Sequence, residues 1–277
     1  MSDQIFAKNF DSRSIGVFDS GIGGLTVLRE LVQQFPNENF LYLGDTARLP
    51  YGSKSAPTVR KYCEQNMNFL ISRDVKAIIV ACNTASTQVP EHLFLNRIVY
   101  NVLEPGSILA ANKTKNKKIT VLATRATIKS DAYKNKIQDA DRSIFVESIA
   151  CPLFVPLAEE GWNDDPVTEI VARRYLSEMK NTDSDTVILG CTHYPLLKNT
   201  LQKILGPNVN LIDSGEAICQ LLKNDFINQK ILQNKPGTID PLHICLTDFG
   251  LQFETMTIKL IGAVTARPIH FETVSVI

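Results

Sequence analysis

Two short segments of this chain carry the same pattern. Residues 77–85 read Ala-Ile-Ile-Val-Ala-Cys-Asn-Thr-Ala, and residues 186–193 read Thr-Val-Ile-Leu-Gly-Cys-Thr-His. In each, an unbroken aliphatic, partly β-branched run has the character of a strand buried on both faces, the signature of a parallel sheet. Each run stops at a cysteine flanked by small and hydrogen-bonding residues. In open α/β sheets ligands bind where the strands end at their carboxyl side, because the chain leaves the sheet there and opens a crevice. Cys82 and Cys191 are therefore placed to face one pocket. Roughly 110 residues separate them, about the length of a small domain. The expectation is one cysteine per domain, with a substrate held between the two.

The rest of the chain fits that frame. Residues 14–18 have strand character and lead through Asp19-Ser20-Gly21-Ile22-Gly23-Gly24 into a helical pattern at 25–32. Glycines there allow a sharp turn and close approach to a ligand, and the helix start offers free N–H groups to an anion. The cluster is not a dinucleotide fingerprint, since Thr26 stands where the last glycine belongs, and no phosphate-binding G-x-x-x-x-G-K-[ST] loop occurs. Asp19 and Ser20 bring a carboxylate and a hydroxyl to a strand end; the alternative for Asp19 is a plain helix cap. A strand at 40–43 runs into a loop over 44–52 punctuated by Pro50 and Gly52, and a helix over about 58–72 leads to the first cysteine strand.

A strand at 99–103 reaches an interruption at Pro105 and Gly106 before a helix at 107–111. The alternation then restarts, with strands at 118–124 and 144–148, a helix around 131–138, a proline-marked loop or helix entry at 151–156, and a helix at 167–179. Glu159 and Glu160 fall near the second crevice, or else on a solvated helix face. After a strand at 210–212, Asp213-Ser214-Gly215 repeats the wording of residues 19–21, as an internal echo or by chance. A helix at 216–232, a strand at 242–247, a helix at 254–261 and a strand at 269–276 form a tail able to complete either half. The polar stretch up to Arg13 reads as a mobile lead-in.

Composition removes several functions. The hydrophobic content of 44% suits packed cores, and Lys+Arg and Asp+Glu are both 29, so no basic field exists for nucleic acid. No aliphatic run approaches the roughly 20 residues that span a bilayer, and the polar start lacks a signal peptide's features, so a cytoplasmic protein is expected. The six cysteines form no C-x-x-C pair, which makes free thiols the expectation.

Two thiols across a pocket have three uses: a redox disulfide, a metal site, or acid and base on opposite faces of one substrate. Of the four histidines only His193 lies beside a motif cysteine, which argues against metal. The third use suits inversion of a stereocentre without a cofactor, where one group removes a proton from one face and another delivers one to the opposite face. Thiols, with an ordinary pKa of about 8.5, come within reach of that work near neutral pH. Asp19 and His193 would be proton partners for Cys82 and Cys191.

The segments Ile15–Val27, Gly44–Gly52, Ala81–Thr87 and Gly190–Leu197 together resemble the bacterial glutamate racemases, in the right order and across most of the chain from Ser14 to Ser214. The resemblance implies two similar parallel-sheet α/β domains with the active site in the cleft between them: residues 1–104 with 216–277, and residues 105–215. It implies cofactor-independent interconversion of L- and D-glutamate, supplying D-glutamate for peptidoglycan, by a homodimer with no lysine-bound cofactor. By motif, Cys82 would act on the α-proton of D-glutamate and Cys191 on that of L-glutamate. Asp19, Ser20, Tyr51, Gly52, Asn83, Thr84, Thr192 and His193 would hold the substrate or assist the thiols, with Asp45 and Glu159 behind them. A racemase for aspartate, a one-thiol lyase and a two-domain binding protein without turnover are the competing functions.

Overall fold

The computed structural model describes residues 10–276, apart from 90–91, 178, 180–182, 236 and 238, and apart from the side chains of 251 and 252. Much of the expected lead-in, residues 1–9, lies outside the described residues. The part that is described is fastened rather than mobile: Asp11 N–H donates to Gln233 O at 3.0 Å, its carbonyl accepts from Lys76 at 2.9 Å, and Arg13 grips its carboxylate at 2.7 Å.

In chain order the first part comprises β1 (Ile15–Asp19), α1 (Leu25–Gln34), β2 (Phe40–Gly44), α2 (Ala56–Ser72), β3 (Ala77–Val80), α3 (Asn83–Ser86), β4 (His92–Phe94) and β5 (Arg97–Asn101). There follow α4 (Leu103–Lys113), β6 (Lys118–Ala123), α5 (Arg125–Lys129), α6 (Ala132–Ala140), β7 (Phe145–Ala150), α7 (Phe154–Glu159), α8 (Pro166–Leu176), β8 (Thr186–Gly190), α9 (Lys198–Leu205) and β9 (Asn210–Ile212). The chain ends with α10 (Ser214–Ile227), β10 (Leu242–Leu246), α11 (Leu251–Ile261) and β11 (Ile269–Thr273).

The strands form two sheets. One has the order β11-β10-β2-β1-β3-β5-β4 and is parallel except for the β4–β5 pair; the other, β7-β6-β8-β9, is parallel throughout. Within each, successive residues of the central strands feed opposite layers. Val17 packs with α1, α10 and α11, whereas its neighbour Phe18 packs with α2. In the second sheet Leu122 faces the α7–α9 side and Val121 the α4–α6 side. Burial of each such side chain contributes about 1.5–3 kcal/mol, and that two-sided burial is why the strands read as continuous apolar runs. The β10–β11 tail extends the first sheet, with β10 paired to β2.

The order β2-β1-β3-β5 in the first sheet matches β7-β6-β8-β9 in the second. Cys82 and Cys191 thus follow corresponding strands, β3 and β8. Asp19 ends β1 but Asp213 follows β9, the counterpart of β5, so the repeated Asp-Ser-Gly wording does not fall at corresponding places.

Three local readings change. Pro105 and Gly106 do not precede a helix but lie inside the first turns of α4. A proline costs nothing there, because the first N–H groups of a helix have no partner within it. Asn101 Oδ1 caps the turn, accepting from the Leu103 and Glu104 N–H groups at 3.1 Å. Helices α3, α5 and α9 and the short antiparallel β4 have no counterpart in the pattern read from sequence. Helix α10 starts at Ser214, where Asp213 Oδ1 accepts from Glu216 N–H at 2.8 Å, and stops at Ile227 instead of 232. Among the described residues no helix is long and apolar enough to cross a membrane.

Candidate active site

Strand β1 delivers Asp19 fully buried to the end of the first sheet. Its carboxylate accepts from Gly21 N–H at 2.9 Å and from the backbone of Gly24. Two of the turn's backbone donors, at Gly21 and Gly24, are thus occupied by the chain's own carboxylate. Burial raises the Asp19 carboxyl's pKa, against the lowering influence of His193 and these hydrogen bonds.

Cys82 leaves β3 and caps α3, its sulfur accepting from Ala85 N–H at 3.4 Å and lying 3.6 Å from Ser20 Oγ. Burial first, and the neighbouring Asp19 carboxylate second, push its thiol well above the ordinary range. Cys82 is therefore a neutral thiol at neutral pH.

The second sheet supplies an opposite setting. Cys191 Sγ lies 3.7 Å from His193 Nδ1, and His193 Nε2 lies 3.0 Å from Glu159 Oε1. Burial disfavours an imidazolium at His193, yet the contacts with Cys191 and then Glu159 outweigh it and push the ring up to about 10. Both contacts favour the protonated ring. Tyr194 fixes this arrangement: its ring meets Phe154 of α7 edge-on at 5.2 Å, and its hydroxyl donates to Cys151 O at 2.8 Å. Helix α7 buries Phe154, Leu157 and Ala158, which leaves Glu159 turned to His193 and Glu160 exposed at the helix end.

The two halves touch through polar contacts at the site. Thr192 Oγ1 donates to Asp19 Oδ1 at 3.2 Å, and the Thr26 hydroxyl lies 2.8 Å from Thr192 O. A Cβ on Gly23 would stand 2.5 Å from both His193 Nδ1 and Thr192 Oγ1, so glycine is needed there for the other sheet's side chains rather than for a ligand. Thr84, Thr124 and Thr127 form a triangle of hydroxyls, each 3.0 Å from the next.

Between the halves lies a cavity of about 140 Å³. Both motif cysteines line it, as do Ser20, Asn83, Thr84, Thr192 and His193. Tyr51 and Gly52 close one side of it. Asp19 and Glu159 do not line it but stand behind Thr192 and His193 respectively. Asp45 is more remote: it accepts from the Tyr51 hydroxyl, from Arg48 at 2.7 Å and from Thr247 Oγ1 at 3.1 Å, bracing the loop that carries Tyr51. Burial, then Asp45, keeps the Tyr51 phenol protonated by raising its pKa. Sequence reasoning missed Thr124 and Arg125 in the lining. The signal was available for Thr124, which ends β6 as the cysteines end β3 and β8. Pro152 and Val155 also reach the cavity, brought there by the α7 entry.

Asn83 completes the wall. Its Oδ1 accepts from the Tyr133 hydroxyl and from Ser214 Oγ at 3.1 Å, while its buried Nδ2 has no partner among the described residues. No disulfide joins any of the six cysteines, and all six are buried.

Two facing sheets with a thiol following each of two corresponding strands, and a small cavity between them lined by both thiols, define a two-sided α/β protein with a cleft site. The chain belongs to the Asp/Glu/Hydantoin racemase family, whose model matches residues 15–222, and within it to the glutamate racemases. It is 44% identical to the glutamate racemase of Chlorobaculum parvum over 245 residues, 87% of this chain and 90% of that one. The glutamate racemase of Francisella tularensis, solved in complex with D-glutamate, superimposes with a TM-score of 0.84 at 37% identity, covering 96% of this chain and 98% of the other. That of Bacillus anthracis gives 0.87 at 33% identity, covering 95% and 97%.

Proposed function

We propose that this chain interconverts L- and D-glutamate by a two-thiol, cofactor-independent exchange of the α-proton. The observation that carries the reading is that Cys82 and Cys191, from corresponding strands of two sheets, line the same small cavity in opposite electrostatic settings. In the L-to-D direction, the Cys191 thiolate removes the α-proton while the protonated Cys82 thiol delivers its own to the opposite face. The product leaves with Cys82 as thiolate and Cys191 as thiol, and D-to-L conversion reverses the assignment. The His193 cation, held by Glu159, is the counter-charge beside Cys191; Asp19 is the proton partner on the Cys82 side.

Ser20, Tyr51, Gly52, Asn83, Thr84, Thr192 and His193 hold the substrate, whose two carboxylates and ammonium call for many fixed hydrogen bonds. The unpartnered Asn83 amide supports this, since a buried donor without an acceptor suits a ligand carboxylate. We assign residues 1–104 with 216–277 to one domain and 105–215 to the other, and expect a cytoplasmic homodimer that supplies D-glutamate for peptidoglycan, the cell wall and cell shape.

The test is incubation with L-glutamate in deuterated water, without added cofactor, following optical rotation and α-deuterium together. Racemisation with deuterium in the D product, abolished or severely slowed in Cys82→Ser and in Cys191→Ser, supports the reading. Binding without exchange at the α-carbon refutes it, and the same assay on L-aspartate identifies a sister specificity.

A further inference from the structure

We infer that Tyr133 and Ser214 are positioning residues that fix the side-chain amide of Asn83 so that its NH2 group is presented to a carboxylate in the cavity. This rests on the reading above, that the cavity takes an acidic amino acid.

Asn83 is the first residue of α3, directly after Cys82, and is 2% exposed. The strand end places the side chain, but nothing in its own backbone decides which end of the amide meets the cavity, because the terminal torsion of asparagine is broad and twofold. Two hydroxyls hold it in the sense observed. Tyr133, on α6, and Ser214, opening α10, both donate to Oδ1 and so occupy its two lone pairs. Both residues are 3% exposed. Burial raises the Tyr133 phenol's pKa against the lowering influence of a hydrogen bond with Ser214, so the hydroxyl keeps its proton. Its ring is itself seated: a Cβ on Gly190, the residue before Cys191, would stand 3.2 Å from Tyr133 Cε2. With Oδ1 saturated, Nδ2 is left buried and unpartnered, a donor whose acceptor has yet to arrive.

The consequence is a coupling between the halves. Asn83 comes from the end of the first sheet, whereas Tyr133 packs against the second and Ser214 follows its last strand. The amide is held as a donor only when the two halves are together, so carboxylate recognition and assembly of the two-thiol cavity depend on the same contacts.

The experiment compares wild type, Tyr133→Phe/Ser214→Ala and the hydroxyl-retaining Ser214→Thr. The expected result is a KM about 10-fold higher for both enantiomers in the double variant with kcat within about 3-fold, and a near-normal KM in Ser214→Thr, the pattern of lost binding common to ground and transition states. A second readout needs no substrate. In protein labelled with ¹⁵N-asparagine, the NH2 pair that disappears in Asn83→Asp is expected to shift or split in the double variant. An unchanged KM with only a lower melting temperature, or an Asn83 NH2 pair that stays in place, overturns the inference. Should wild type fail to turn over glutamate, the functional reading falls, and the NMR comparison on the free protein still decides the role of the two hydroxyls.

Discussion

Replacing Glu159 by Gln tests how the second thiol's surroundings are set. Gln keeps an oxygen able to accept from His193 Nε2–H but removes the charge. Opposite charges about 4 Å apart attract by about 4 kcal/mol at an effective dielectric constant of about 20. The Glu159 side chain is 33% exposed, and solvent screening reduces that to roughly 1.5–2 kcal/mol. At about 1.4 kcal/mol per pKa unit, the loss lowers His193 by roughly 1 to 1.5 units, from about 10. The direction follows from the sign of the contact: Glu159 favours the protonated ring, so its removal lowers the pKa and the imidazolium is lost at lower pH. The alkaline limb of kcat/KM for L-glutamate therefore moves to lower pH by the same amount. It is measured by polarimetry from neutral to strongly alkaline solution, beside NMR titration of the His193 ring identified by its loss in His193→Asn. A limb and a ring titration that both stay at the wild-type position would refute the argument; a uniform loss of rate without movement would assign Glu159 another role.

Two further substitutions probe the frame around the site. Gly23→Ala puts a methyl group 2.5 Å from His193 Nδ1 and Thr192 Oγ1; displacing these groups by about 1 Å should lower kcat/KM about 100-fold, and near-normal kinetics would show that the two halves adjust freely. Lys76→Met removes the cation that holds Glu38 at 2.6 Å and the carbonyls of Asp11 and Leu232 at 2.9 Å. Leaving the 4%-exposed Glu38 carboxylate with the Asn234 N–H but without its Lys76 cation should cost about 3 kcal/mol in urea unfolding, and a loss below about 1 kcal/mol would contradict it.

The chain itself determined the strands, and with them the places where chemistry can occur. Uninterrupted aliphatic runs leave no solvent-facing side, so 77–80 and 186–190 have the character of interior parallel strands, and the residues after them fall at a sheet end. That is why Cys82 and Cys191 were legible, and why Thr124 was legible in principle. Local polar residues misled where a cap or a first turn accommodates them, as at Pro105 and Gly106. The choice between Glu159 and Glu160 was open in sequence because neighbours on a short helix differ only in direction, and packing of Phe154 under Tyr194 sets that direction.

Only the tertiary structure decided what the glycine-rich turn does, since its Gly21 and Gly24 N–H groups are taken by Asp19 and the space beside Gly23 by His193 and Thr192 of the other half. It also placed the β10–β11 tail beside β2 and brought Tyr133 and Ser214 to Asn83. These are contacts between residues 50 to 200 positions apart. Periodicity reports the face a residue buries within its own element, but it carries no record of which distant element will cover that face.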